Sequence, residues 1–321
     1  MDEFSFIDSI KQQAYNQSSL IKGIGDDAAV FRTSMDIVTA VDTFVENVHF
    51  SKETMESYHI GYRSLAANIS DLAAMGALPA FYLVSIVIPK EWEQKELVQI
   101  FNGMKDLARN YKMDLIGGDT VSGKELSISI TVIGYTMREK SRFRNSARQD
   151  DIVFVTGTLG DSQAGFHILN NPGHYLEPDY FINRHRMPSP RVEFANKLSK
   201  LSRIALNDIS DGIANEANEI AEASHVTITL VDELLPTSAT YNQFSSDLQY
   251  KWKLYGGEDF ELMGTVSIED WEEVKLIADL TNTMVSKIGY VSSADKVGCV
   301  YLKQNNSVNI ILEKKGYTHL K

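Results

Sequence analysis

The chain has 321 residues, 43% of them apolar and 23% charged, a composition that excludes wholesale disorder and suits a folded, soluble protein of two ordinary domains. A formal net charge of −12 excludes non-specific nucleic-acid binding, and the single cysteine, Cys299, excludes an intramolecular disulfide or a thiolate zinc cluster and is expected to be buried. The longest apolar run, Ala80 to Ile88, is well short of a bilayer-crossing helix, and Asp2, Glu3 and Asp8 stand where a secretory leader would be basic, so no membrane partner and a cytoplasmic location are expected.

Along the chain, apolar residues at Ile60, Leu65, Ile69 and Leu72, followed by Gly76 and Pro79, predict a helix over Tyr58 to Met75. A strand is expected from Ala80 to Ile88, a helix from Lys90 to Tyr111, and strands at Met113 to Ile116 and Leu126 to Tyr135. A basic polar stretch from Arg138 to Arg148 then precedes a new apolar strand at Ile152 to Val155. The expected domains are therefore 1–138 and 139–321.

The second half alternates: strand, Gly-rich turn and helix over Val153 to Leu169, a helix from Arg191, a strand at Ile204 to Leu206, a helix from Asp211 and a strand at Val226 to Val231. Such alternation predicts layered α/β packing. Asn170 to Ser189, rich in Asn, Pro and His, is expected to be a long excursion.

Five segments set carboxylates beside glycines or at element ends: Gly25-Asp26-Asp27, Val41-Asp42-Thr43, Gly117-Gly118-Asp119-Thr120, Asp208-Ile209-Ser210-Asp211-Gly212 and Gly256-Gly257-Glu258-Asp259. Crowded carboxylates repel and take up protons unless a cation holds them ionised, and oxygen donors without thiolates favour magnesium. Taken singly, each segment is equally a turn or a helix cap, and Ser210 or Asp211 could cap the helix that follows. Asp71 is more telling, because Ser64, Asn68 and Asp71 form one polar stripe on an otherwise apolar helix. A buried charge there needs a partner, whereas a solvent-facing stripe needs none.

Two phosphate motifs are excluded or weak. Gly160 and Gly165 have the outer spacing of a P-loop, but Phe166 and His167 replace its Lys and Ser/Thr. Gly256 to Phe260 has Glu before Asp, unlike the GGDEF signature of diguanylate cyclases.

The segments GIGDDAAVF (23–31), VDTFVENVHF (41–50), NISDLAAMGALP (68–79), GGDT (117–120), VTGTLGDSQAGF (155–166), NDISDGI (207–213), GGEDFEL (256–262) and GYTHL (316–320) occur in the order seen in thiamine-monophosphate kinases. The chain resembles that family over nearly its whole length, within a wider aminoimidazole ribonucleotide synthetase-like superfamily of ATP-using proteins. The resemblance implies a mixed α+β fold of two α/β domains, the N-terminal one forming a homodimer and the C-terminal one completing the nucleotide and substrate site. It also implies phosphoryl transfer from ATP to thiamine monophosphate, the final step of thiamine diphosphate biosynthesis.

By the same resemblance, Asp27, Asp42, Asp71, Asp119, Asp208 and Asp211 would hold magnesium, and Gly118, Asp119, Arg144 and Ser210 would contact ATP. His49, Glu258 and Tyr317 would line the thiamine phosphate site. Ala40 and Val41 depart from the family, whose members often carry hydroxyl residues there. Another ATP-using member of the superfamily and a non-catalytic divalent-metal binder remain the alternatives.

Overall fold

The computed structural model describes residues 3–12, 14–24, 28–292, 298–304 and 308–316. It comprises two compact units, Met1–Leu72 with Ala77–Ser141, and Ala73–Gly76 with Arg142–Lys321. The division falls inside the basic stretch from Arg138 to Arg148.

The first unit runs α1 (Glu3–Ile10), β1 (Leu20–Lys22), β2 (Val30–Phe31), β3 (Asp36–Val45), α2 (Ser57–Ala74), β4 (Leu78–Ile88), α3 (Gln94–Asn110), β5 (Asp114–Ser122) and β6 (Ser127–Thr136). Strands β1 and β2 pair with each other, and a four-stranded sheet has the order β3-β6-β4-β5. Only the β4 to β5 pairing in it is parallel, and α3 supplies the crossover that a parallel pair needs. The sequence did not announce β3, because Ile37 and Val41 are 52% and 62% exposed and place apolar residues on both of its faces.

Helix α2 buries Leu65, Ala66, Ile69, Leu72 and Ala73, and each large apolar side chain so buried is worth about 1.5–3 kcal/mol. It meets α3 backbone to backbone. A Cβ on Gly61 would lie 1.8 Å from the Ile100 carbonyl oxygen, and one on Gly103 would lie 1.9 Å from that of Tyr58. Only glycine permits this approach. Helix α3 begins at Gln94 and not at Lys90 because Glu93 and Glu96 form a reciprocal capping box.

Strand β5 runs well past Ile116, so the Gly117 to Thr120 segment is strand and not turn. Gly117 and Gly118 pair with Leu83 and Val84, and a Cβ on Gly118 would stand 2.0 Å from the Val84 carbonyl oxygen. The first residue of β5, Asp114, is fully buried. Its carboxylate accepts from Gln12 Nε2 at 2.6 Å, the Asn16 amide N–H at 2.8 Å, Asn16 Nδ2 at 2.8 Å and the Gln17 N–H at 2.7 Å. This cage ties the N-terminal segment to the sheet.

The second unit runs β7 (Ile152–Thr156), α4 (Asp161–Asn170), α5 (Pro178–Arg186), α6 (Val192–Lys197), β8 (Ala205–Asp208), α7 (Ile213–Ser224), β9 (Thr227–Val231), α8 (Ser246–Tyr255), β10 (Leu262–Val266), α9 (Trp271–Leu280), β11 (Val285–Ser292), β12 (Cys299–Gln304) and β13 (Val308–Ile311). Its sheet has the order β13-β12-β9-β11-β7-β10-β8. Every neighbouring pair is antiparallel except β12 with β9, so the alternation of elements builds a mixed sheet and not a parallel one. Its core joins Val153, Val155, Ile213, Ala217, Ile228 and Met263, among others. Cys299 is buried, as expected.

The supposed excursion after Asn170 contains α5, which starts at Pro178 and buries Phe181 and His185 against α4. Pro at a first helical position costs nothing, which is why its presence did not preclude a helix. Among the described residues no helix is long and apolar enough to cross a membrane.

Replacing Asp114 with Ala removes the shared acceptor of the N-terminal cage. It is expected to lower unfolding free energy in urea by about 1–3 kcal/mol and to speed amide exchange at Asn16 and Gln17.

Candidate active site

In the first unit, Asp42 lies on β3 on the same side as buried Phe44 and is half-buried. Its backbone N–H donates to Asn68 Oδ1 at 3.0 Å, while Asn68 Nδ2 donates to the Ser64 carbonyl at 2.9 Å. Ser64 and Asn68 are buried and Asp71, one turn on, is half-buried, so the polar stripe of α2 faces inward and stitches the helix to the strand. His49 is half-buried at the end of this strand. Its Nδ1 accepts the Val45 N–H at 3.1 Å, which puts the proton of the neutral ring on Nε2.

Asp119 is exposed on β5, opposite Ser85, with Oδ1 accepting the Thr120 N–H at 2.9 Å. A cavity of about 620 Å³ in this unit is walled by Gly117, Gly118, Asp119 and Thr120 together with apolar Ile7 and Phe101. Asp27 lies outside the described residues.

In the second unit, β8 ends at Asp208, which is buried, and the chain turns through Ser210 and Asp211 into α7. Neither Ser210 nor Asp211 caps the helix. Gly212 occupies the cap position at φ +104° with no side-chain bond, since close packing against Tyr255 leaves no room for a Cβ there. The turn is held instead by Glu216, whose Oε1 accepts the Asp211 N–H at 3.1 Å and the Ser210 hydroxyl at 3.4 Å. Burial, and then the charges of Asp208 and Asp211, push Glu216 up to about 8, with Arg144 opposing them.

Arg144 is half exposed, donating through Nε to Asn207 Oδ1 at 3.0 Å and through its terminal nitrogen to Glu219 at 3.3 Å.

The segment from Gly256 to Glu261 lies against this turn. The Glu258 N–H donates to the Ser210 carbonyl at 2.7 Å, the Phe260 N–H to Ile209 at 3.0 Å, and the Ile209 N–H to Glu261 at 2.8 Å. Glu258 and Phe260 adopt left-handed φ of 69° and 50°. Gly257 is obligatory, because a Cβ there would approach the Ser210 carbonyl oxygen to 2.2 Å.

The two acids after Glu258 are buried and structural. Asp259 accepts the Gly160 and Ser162 N–H groups at 2.6 and 3.1 Å, at the start of α4, and burial pushes it up to about 7 against the charge of Arg184. Burial would also raise Glu261, but Arg191 and Arg184 outweigh it and hold the carboxyl below its ordinary range. Arg191 reaches it through two nitrogens at 2.6 Å and Arg184 through one at 2.9 Å.

Gly316 packs on the same turn, its N–H donating to Asn215 Oδ1 at 3.1 Å and its Cα abutting the Asp211 carbonyl. Tyr317, which follows it, lies outside the described residues.

The second unit thus gathers Arg144, Asp208, Ser210, Asp211 and Glu258 around one turn; Asp42, Asp71, Gly118, Asp119 and His49 all lie in the first unit. Among the described residues no three metal-binding side chains converge into a ready cluster. The donors present are carboxylate oxygens, which fit a hard divalent cation, and the charges of Asp208 and Asp211, which add to burial in raising Glu216, are of the kind such a cation offsets. Sequence reading missed Asn207 and Glu216. Glu216 was detectable as a charge beside Ala217 and Ile220 on the apolar face of α7.

The fold and these segments define a class first: residues 25–136 match the family model for AIR synthase related protein, N-terminal domain. Thiamine-monophosphate kinase of Bacillus subtilis (strain 168) is 45% identical over 328 residues, covering 100% of both chains. The crystal structure of thiamine-monophosphate kinase from Stenotrophomonas maltophilia K279a superposes with a TM-score of 0.84 at 30% identity, over 96% of this chain and 98% of that one. AaThiL complexed with AMPPCP and TMP superposes at 0.75 with 29% identity, over 96% of each chain. The chain belongs to the thiamine-monophosphate kinase family.

Gly257→Ala is expected to part the loop from the Ser210 turn and to cost about 1–3 kcal/mol in thermal or urea unfolding. Arg191→Ala leaves Glu261 buried with less compensation and is expected to cost about 3–5 kcal/mol. Because Glu261 is lowered in the folded state, its contribution is present above its unfolded-state value and is lost as pH falls through the folded one. Stability curves of Glu261→Gln should accordingly lose that acid-limb slope.

Proposed function

We propose that the protein transfers the γ-phosphoryl group of ATP to the phosphate of thiamine monophosphate, forming thiamine diphosphate and ADP, as a magnesium-dependent cytoplasmic homodimer. The observation that carries this is the 45% identity, over the full length of both chains, to a kinase of that name. AaThiL complexed with AMPPCP and TMP, a structural neighbour over 96% of each chain, supports the same pair of substrates.

The acceptor is a phosphate oxygen that is already anionic, so no side chain is needed as a general base. Catalysis then rests on orienting the two phosphates for in-line transfer and on offsetting charge in a loose transition state. Arg144 supplies a guanidinium for that purpose. Gly118, on β5, is assigned to ATP, and Ser210 offers a hydroxyl at the turn before α7. His49 and Glu258 are assigned to thiamine monophosphate, the carboxylate facing its cationic thiazolium, with Tyr317 providing an aromatic face.

Asp27, Asp42, Asp71, Asp119, Asp208 and Asp211 would hold magnesium, which when bound neutralises phosphate charge and keeps these carboxylates ionised. A non-catalytic metal-binding protein would have no use for the full set of segments.

The test is chromatographic detection of thiamine diphosphate after incubation with ATP, magnesium and thiamine monophosphate. Product is expected with thiamine monophosphate and not with free thiamine. It should disappear with EDTA and fall about 100-fold or more in Asp119→Asn. ATP binding without product would overturn the substrate assignment.

A further inference from the structure

Arg144, Ser210 and Asp211 are linked by two buried residues to which no role in the reaction has been given. Asn207 is 2% exposed, on β8 where it pairs with Met263, so its backbone is fixed by the sheet. Its Oδ1 accepts from Arg144 Nε at 3.0 Å, and its Nδ2 donates to Glu216 Oε2. Glu216, 4% exposed, uses its other oxygen to accept the Asp211 N–H at 3.1 Å and the Ser210 hydroxyl.

One unbroken chain of donors and acceptors therefore runs from the guanidinium to the turn. Its polarity is set by the arginine, which can only donate: Asn207 must turn its Oδ1 to the guanidinium and therefore its Nδ2 to Glu216. An amide, with one acceptor and one donor, is the side chain that satisfies both. Leucine would satisfy neither, and aspartate would face Glu216 with a second acceptor.

We infer that Asn207 and Glu216 are positioning residues, setting the direction of the Arg144 guanidinium and the conformation of the Ser210–Asp211 turn as one unit. This rests on the kinase reading for the part played by Arg144 and the turn. Burial makes each bond consequential, since a mismatched buried donor pair or acceptor pair cannot turn to solvent for relief.

The pattern can be inverted without changing net charge. In Asn207→Asp with Glu216→Gln, the aspartate accepts from both Arg144 Nε and the new amide Nε2, and the glutamine Oε1 still accepts the Asp211 N–H. Either substitution alone opposes like groups.

The experiment measures, for the full chain and these three variants, the calorimetric Kd of AMPPCP with magnesium, the KM for ATP and for thiamine monophosphate, and the melting temperature. Each single substitution is expected to weaken AMPPCP binding and raise the KM for ATP by about tenfold or more, with the KM for thiamine monophosphate within about threefold, and the double variant to return within about threefold of the parent. Singles that bind AMPPCP like the parent would overturn the assignment. So would a double variant no better than the weaker single, or melting temperatures that fall while nucleotide affinity stays constant. If the parent makes no thiamine diphosphate, the kinase reading fails, while the AMPPCP affinities still decide whether the chain of bonds positions a nucleotide contact.

Discussion

A carboxylate can be removed from water only where donors or cations replace its hydration, and this constraint sorts the acids of the protein into two kinds. Asp114 is surrounded by amide donors from the N-terminal segment, and Asp151 is held by Arg203 through two nitrogens and by the Arg148 N–H. Glu261 has two arginines, and Asp259 sits on the start of a helix. These acids are satisfied by the chain itself. Around the turn after β8 the balance differs: Asp208, Asp211 and Glu216 crowd together with Arg144 as the opposing charge that acts on Glu216. Glu216 is raised there, whereas Glu261, with its two arginines, is lowered.

The same distinction explains why the Gly256 to Leu262 segment reads so densely. Glu258 is the acid of this segment proposed to meet substrate, and its neighbours hold the segment in place. Asp259 anchors the segment to α4, Glu261 anchors it to two arginines, and Gly257 admits it to the Ser210 turn. The short motif joins a functional group to its own mounting.

Much of the helical framework was legible in the sequence, because α2, α3 and α7 carry their apolar residues at helical spacing and α2 is followed by Gly76. Strand β3 was not, since it is apolar on both faces, and α5 was hidden by a composition that reads as loop. At the candidate site, the short acidic motifs named segments whose local geometry the fold now gives. What they could not convey was pairing across sequence distance: Asn207 reaches Arg144, 63 residues away, and Glu261 reaches Arg191, 70 away. Helix periodicity records which face is buried but not what a buried polar group will meet. The capping role expected for Ser210 and Asp211 failed for this reason, because Glu216 provides the acceptor from within the helix.

The glycine contacts between α2 and α3 have a consequence for how this protein can change over generations. With Gly61 against one carbonyl and Gly103 against another, the two helices interlock at a fixed register that no larger residue can occupy. Substitutions elsewhere on α2 can therefore vary what lies around Asp71 while the helix keeps its axial position. The two glycines thus hold the axial position of the helix apart from the side chains that the polar stripe presents.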